Sequence, residues 1–172
     1  SGRAEIALGV TYVLDNDGFR NESALFPQVE YLSDTRACAF GDSQIEFYSL
    51  QNEASPQLIT SVPCDSQVQS VFAGNGKVGV VLNGENGQYQ LRVYNSDGVL
   101  LMARDIPFAY THAEFNGSYL AFYNSSECLL LNENGSVKYE GMLDGTVNQL
   151  FFINANTFLQ FGGQTVREMK LR

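Results

Sequence analysis

The sequence has no tryptophan, a single histidine, three cysteines and four prolines among its 172 residues. One histidine and three widely separated cysteines do not make the short-spaced ligand sets that zinc and copper sites use. No run of about 18 apolar residues occurs, so the given stretch offers no membrane-spanning helix. No Gly-x-Ser-x-Gly motif occurs either, which removes the nucleophile elbow of the α/β-hydrolases.

Basic residues are scarce, with ten Lys and Arg against nineteen Asp and Glu, for a net charge of −9. Neutralising phosphates requires clustered Lys and Arg, so the composition argues against nucleic acid as a partner. An anionic membrane surface is disfavoured for the same reason. The acid excess is interpreted as keeping a β-rich surface soluble.

The three cysteines are predicted to be unpaired. Cys38 and Cys128 lie within apolar strands, where a thiol behaves as a small hydrophobe, and Cys64 ends a strand after Pro63. In the predicted sheet, one intervening strand separates Cys38 from Cys64 by about 10 Å, which exceeds disulfide reach. These cysteines do not decide the redox compartment.

A repeat of apolar strands and tight turns runs down most of the chain. Apolar residues make up 44% of the sequence and include twelve Phe and nine Tyr, which favour strands. Four units are predicted, at about 29–63, 68–105, 112–143 and 147–171. Their spacing is typical of one small antiparallel sheet repeated radially, as in a propeller blade.

The turns between strands carry explicit signals. Asn75-Gly76, Asn116-Gly117 and Asn134-Gly135 favour type I′ hairpin turns, with positive φ at both central positions. Asp17-Gly18 and Asp97-Gly98 are similar turn signals. Two of the turns follow a third strand and two lie between a first and a second strand, which supports equivalent repeats.

The predicted fold class is therefore all-β, with radially repeated four-stranded antiparallel sheets forming a β-propeller or partial β-propeller of about four blades. Residues 1–172 are predicted to be a single domain in which 15–28 is a polar connection. The last unit ends after its third strand, and the strand-like segment 5–14 is a candidate to close that sheet, because closure removes exposed edges. A small closed ring and a piece of a larger propeller both remain open.

Three segments carry a family resemblance: Leu25–Asp34, Val93–Gly98 and Val166–Leu171. Together they resemble the C-terminal part of an uncharacterised Gram-positive bacterial family of membrane-anchored, extracytoplasmic β-propeller-like proteins. Val93–Gly98 is also similar to WD40 and quinoprotein-like blades, although the Trp-Asp signature of WD40 is absent. The resemblance implies localisation outside the cell on a membrane anchor, and the start at Ser1-Gly2-Arg3 leads us to expect that anchor upstream. It implies no catalytic residue.

His112 is the residue that an enzyme hypothesis would need. General acid–base catalysis would pair it with a nucleophile and an orienting carboxylate, and the sequence indicates no such set. The favoured interpretation is a histidine at the start of a strand, hydrogen-bonded near a loop. We predict no enzyme; a hydrolase or lyase is the third hypothesis.

Asp15-Asn16-Asp17-Gly18 is the strongest metal signal, because alternating oxygen ligands followed by Gly begin a calcium loop. Asp15 and Asp17 are therefore weak calcium candidates. The EF-hand pattern needs a Glu where Ala24 stands, and Asp and Asn are also ordinary turn formers. The prediction is no metal site and no cofactor.

An aromatic group offers the remaining candidates for ligand binding. Phe108, Tyr110, Tyr119 and Tyr123 surround His112 in the sequence. Tyr supplies large contact area at binding surfaces. Aromatic residues also fill the cores of blades, and that interpretation is favoured.

The leading hypothesis is a noncatalytic protein-interaction or scaffolding module with a protein or cell-envelope partner. The alternative is a small-ligand or glycan-binding propeller domain. Contact with a membrane is expected only through the upstream anchor, and a homodimer is one expected arrangement, because open strand edges seek partners.

Overall fold

The chain is all-β. The structure, a computed structural model, describes residues 6–7, 10–15, 18–21, 28–41, 44–52, 55–84, 88–154 and 156–170. These contain eighteen strands in five antiparallel sheets. The predicted fold class is confirmed, and the described part of the chain contains no helix long and apolar enough to cross a membrane.

Three sheets have four strands each, paired in chain order. Sheet 2 consists of β4 (Gln28–Ser33), β5 (Arg36–Phe40), β6 (Gln44–Ser49) and β7 (Gln57–Pro63). Sheet 3 consists of β8 (Val68–Gly74), β9 (Lys77–Asn83), β10 (Tyr89–Asn95) and β11 (Leu100–Ile106). Sheet 4 consists of β12 (His112–Asn116), β13 (Tyr119–Tyr123), β14 (Glu127–Asn132) and β15 (Val137–Met142).

The two remaining sheets have three strands among the described residues. Sheet 1 consists of β1 (Ile6–Ala7), β2 (Val10–Asp15) and β3 (Gly18–Asn21). Sheet 5 consists of β16 (Gln149–Asn154), β17 (Thr157–Gly162) and β18 (Thr165–Lys170).

Sheet 1 differs from two expectations. The segment predicted to close the last sheet, 5–14, instead supplies β1 and most of β2, and β2 pairs with β1 and β3. Part of the predicted polar connection is itself a strand, β3. The physical reason is local: β2 and β3 are neighbours in the sequence, with Asp15 opposite Gly18, and a contact between neighbouring segments costs less loop-closure entropy than one across the whole chain.

The middle strands of sheets 2, 3 and 4 are largely buried on both faces, and sheets 3 and 4 each pack against two neighbouring sheets. In β13, Leu120 and Phe122 point to the core shared with sheet 3, whereas Ala121 and Tyr123 point to the core shared with sheet 5. Successive side chains of a strand alternate between its two faces, so the side chains of one apolar strand contribute to two cores. The contacts of β8 with β4 and with β12 place the first strands of sheets 2, 3 and 4 next to one another.

The three Asn-Gly turns do not share one backbone conformation. Asn75 and Gly76 have φ of 55° and 69°, as the predicted type I′ turn requires. The other two Asn-Gly predictions are wrong, because at those turns only Gly117 (φ 56°) and Gly135 (φ 82°) have positive φ. A three-residue loop at 133–135 explains the second case: Gly135 N donates to Asn132 O and Asn132 N to Ser136 O, so the glycine follows a turn rather than sitting at its centre.

The three-residue turns dock each sheet onto the one before it. A Cβ on Gly98 would clash with Thr60 and would lie 2.8 Å from Cδ2 of Phe47, both on sheet 2. Gly135 lies in the same way against Met102 of sheet 3. Ion pairs follow this arrangement: Arg36 binds Asp97 at 2.9 Å, and Lys77 binds Glu133 at 3.1 Å.

The docked turn predicts a measurable difference between two glycines of the same backbone conformation. Gly98 and Gly145 both have φ of 80°, but a Cβ on Gly145 meets nothing within 4 Å. Replacing Gly145 by Ala should cost about 1 kcal/mol of unfolding free energy for the left-handed backbone alone. Replacing Gly98 by Ala should cost about 2–4 kcal/mol, because overpacking against sheet 2 adds to it.

Urea unfolding of the two variants, followed by circular dichroism, measures this difference. Equal losses in Gly98→Ala and Gly145→Ala would contradict the docking of this turn onto sheet 2.

Candidate functional site

The aromatic group predicted from the sequence is mostly packed into the core. Tyr119 and Tyr123 are buried, and Phe108 packs against the core between sheets 3 and 4. Tyr110 is half-buried: its hydroxyl lies 2.5 Å from Ser70 Oγ and its ring meets Phe122 edge-on at 5.5 Å. Burial raises the pKa of Tyr110. At these positions the rings hold sheets together and form no open platform for a sugar.

His112 is the exposed member of that group. Its ring stacks on Tyr123, with centroids 4.5 Å apart and planes 3° apart, and Nδ1 lies 2.9 Å from Thr111 Oγ1. The pKa of Glu114, two residues along the same strand, is raised by burial, and the nearby His112 offsets part of that rise. These contacts are those of a histidine that starts a strand beside a loop.

The calcium candidates lie at the turn of sheet 1. Asp15 ends β2 opposite Gly18, and Asp17 lies outside the described residues. Within the described residues, no group of three or more His, Cys, Asp or Glu is placed to hold a metal ion. A role for Asp15 and Asp17 in calcium binding stays a prediction.

The three cysteines are free thiols. Cys38 and Cys128 are fully buried, and burial raises the pKa of each thiol from 9.0 to about 12. Cys64 is half-buried, and burial raises its pKa too. A thiol is reactive as the thiolate, so Cys38 and Cys128 are inert packing residues at neutral pH.

A cleft of about 420 Å³ lies where β4 and β8, the first strands of sheets 2 and 3, begin. Gln28, Gln67, Gln69 and Ser70 line it, with Phe40 among its apolar contacts. None of the residues that line it is ionisable. Amides and a hydroxyl beside apolar side chains suit a neutral ligand that both donates and accepts hydrogen bonds.

A second surface repeats from sheet to sheet and was not predicted. The fourth strands of sheets 2, 3 and 4 each carry a β-bulge opposite the third strand, at Phe47/Tyr48, Val93/Tyr94 and Leu130/Leu131. Exposed apolar residues cluster at all three bulges. We call them the rim strip: Leu58, Ile59, Leu100, Leu101 and Val137.

The docked turns place the starts of β11 and β15 beside the fourth strand of the preceding sheet. The turn before β11 lies against Thr60 of β7, and the turn before β15 lies against Met102 of β11. Leu58 and Leu100 are 53% and 50% exposed. Large apolar side chains at this exposure on several strands make the rim strip a candidate surface for contact with another protein.

A sequence signal for the rim strip does exist. A strand with one buried face alternates apolar and polar residues, and Leu58-Ile59 and Leu100-Leu101 break that alternation on strands with an exposed face. Paired apolar residues just after a turn signal are what a bulge at the start of an outer strand produces.

The sheets, their order and their packing define a β-propeller fold, and solved structures agree. An uncharacterized protein from Listeria monocytogenes EGD-e is 10% identical with a TM-score of 0.63, over 99% of this chain and 53% of that one. BBS1N in complex with ARL6DN is 14% identical with a TM-score of 0.58, over 96% and 59%. The Cps50 (Swd1) β-propeller domain of Myceliophteria thermophila is 13% identical with a TM-score of 0.54, over 87% and 55%. The chain thus spans between half and three fifths of the length of these structures.

The model of a family of unknown function, DUF5711, matches residues 16–171, so the chain belongs to that family. No curated protein matches its sequence. The predicted relationship to propeller-like proteins is confirmed at this level, whereas the membrane anchor and the Gram-positive origin stay predictions.

Proposed function

We propose that this chain is a noncatalytic protein-interaction module and that it binds its partner through the rim strip. The observation that carries the proposal is the recurrence of exposed apolar residues at the same bulge in three consecutive sheets. One of the similar structures, BBS1N, is a complex with another protein, which supports the same general role for a fold of this kind.

The physics of outer strands favours a specific partner at this place. An outer strand presents unpaired backbone groups on one side, and exposed apolar residues there invite indiscriminate pairing. A bulge twists the edge and interrupts the regular ladder, which discourages such pairing. The apolar side chains remain available to a partner whose own surface is apolar and shaped to this strip.

A double substitution tests the rim strip. Leu58→Asp with Leu100→Asp places two charges in the proposed contact. Each buried Leu contributes about 1.5–3 kcal/mol, so affinity for the partner should fall at least about a hundredfold. The measurement is the amount of each protein retained by the purified chain from an extract of its native cells, quantified by mass spectrometry.

Ala103→Asp is the matched control, since Ala103 is exposed on the same strand as Leu100 and lies outside the strip. It should retain the partner at the level of the parent chain. If both variants lose the partner, binding through the rim strip is contradicted. It is also contradicted if neither variant loses the partner while the circular dichroism spectra stay unchanged.

A second candidate function rests on the cleft between sheets 2 and 3. Three glutamine side chains and Ser70 line it without a formal charge, which supports binding of a small neutral ligand such as a glycan. The cleft lies next to the aromatic candidates, because the hydroxyl of Tyr110 contacts Ser70 at its edge.

Gln69→Ala tests this candidate, because Gln69 is exposed within the cleft. On a glycan array, the signal of any glycan bound by the parent chain should fall by up to about tenfold, because a hydrogen bond between neutral partners is worth about 0.5–1.5 kcal/mol. Gln57→Ala, an exposed glutamine on β7, is the control. An array on which the parent chain binds no glycan removes the glycan hypothesis.

The proposal extends to location: the module faces the outside of the cell membrane, held by an anchor upstream of Ser1. Its support is the family resemblance of Leu25–Asp34 and Val166–Leu171. Protease added to intact cells that express the full-length protein should degrade the module while a cytoplasmic marker survives. Survival of both proteins would place the module inside the cell and contradict this part of the proposal.

A further inference from the structure

Among the described residues, sheet 5 has one face whose large apolar side chains are exposed. Leu150, Phe152 and Phe158 are buried against sheet 4. The opposite face carries Phe151, Phe161 and Val166, which are 56%, 36% and 58% exposed. The strand register brings them together, because Phe151 is opposite Leu159, and Phe161 is opposite both Gln149 and Val166. We call these three residues the open face.

The other sheets make clear what such a face normally does. The corresponding face of sheet 4 carries Ala121, Tyr123, Cys128 and Leu130, all at most 2% exposed beneath sheet 5. On sheet 2, the face away from sheet 3 holds Ala39 and Tyr48, which are buried as well. Within residues 28–170 that the structure describes, the middle strands of sheets 2 to 4 are thus buried on both faces.

Charge decides which partner fits. Glu168 and Lys170 lie on the same side of β18 as Val166, and their side chains are 3.4 Å apart. The face is therefore neutral within a chain of net charge −9. Two such faces can approach each other without the repulsion that the rest of this acidic chain would impose. The Glu and Lys of one copy can also meet the Lys and Glu of the other.

We propose that the open face binds a second copy of this chain, face to face, in a two-fold symmetric dimer. A patch that is apolar at its centre and carries one charge of each sign at its edge is complementary to itself. The same patch is used on both copies, so association stops at the dimer. This surface is separate from the rim strip, which lies on the outer strands of sheets 2 to 4.

The size of the face sets the strength of the contact. Three strands of six residues cover a plan of about 20 by 14 Å. Even with side-chain relief, this is less than the about 800 Å² per partner of a standard interface. We therefore expect a dissociation constant on the order of 10 μM, with exchange between monomer and dimer.

Sedimentation velocity of this 172-residue chain between about 1 and 200 μM tests the proposal. The parent chain should shift from monomer to dimer across this range. Phe151→Asp should raise the dissociation constant at least tenfold. Leu100→Asp is the matched control: it introduces the same charge at a leucine of similar exposure on the rim strip, and it should leave the dimer unchanged.

Charge reversal provides an independent readout. Glu168→Lys should weaken the dimer at least tenfold, because each face then carries two positive charges, and Glu168→Lys with Lys170→Glu should restore it. Val166→Lys replaces Phe151→Asp if circular dichroism shows that the latter does not fold. A parent chain that stays monomeric at 200 μM overturns the proposal. So does a dimer that persists in folded Phe151→Asp or is lost in Leu100→Asp.

Discussion

The structure depends on one constraint: the middle strands of sheets 2, 3 and 4 are largely buried on both faces, and sheets 3 and 4 are each packed between two other sheets. Val78, Val80 and Leu82 of β9 face sheet 2, while Val81 of the same strand faces sheet 4. A polar group on such a strand is costly unless it is hydrogen-bonded, as the buried Glu46 of β6 is to Gln44 and Tyr48. Accessible side chains are therefore concentrated at strand ends, at turns, on outer strands and on the exposed face of sheet 5.

Polar contacts fix how the sheets are stacked. A cation at the start of a second strand reaches the turn of the next sheet, as Arg36 reaches Asp97 and Lys77 reaches Glu133. At the other end of the strands, Asp65 binds Arg92 at 3.0 Å and Asp144 binds Arg167, each joining the segment before a sheet to that sheet's third strand. Exposed pairs of this kind add little stability singly. Their repetition instead specifies the register between one sheet and the next.

The sequence allowed the repeated sheets to be predicted because the strand signal is strong where both faces are buried: Val78–Leu82 and Tyr119–Tyr123 are nearly uninterrupted apolar runs. Pairing at the start of the chain was less accessible, since the pattern of Val10–Leu14 states that a strand forms but not which strand it joins. The aromatic candidates for ligand binding were ambiguous for a related reason. Tyr110 and Tyr123 look alike in sequence whether they bind a ligand or fill a core, and only their neighbours distinguish the two roles. The rim strip was not predicted, because a bulge shifts the alternation of side chains along a strand by only a single residue.

The bulged outer strands have a consequence for how such proteins diverge. The free energy of unfolding of a stacked array of sheets is close to the sum of the contribution of each sheet and the contributions of the interfaces between neighbouring sheets. The core terms rest on the middle strands, whereas Leu58, Leu100 and Val137 contribute little to any core, being exposed on the fourth strands. Substitutions there are nearly neutral for folding. The exposed side chains of the outer strands can therefore change at little cost to folding, whereas the buried middle strands tolerate few changes.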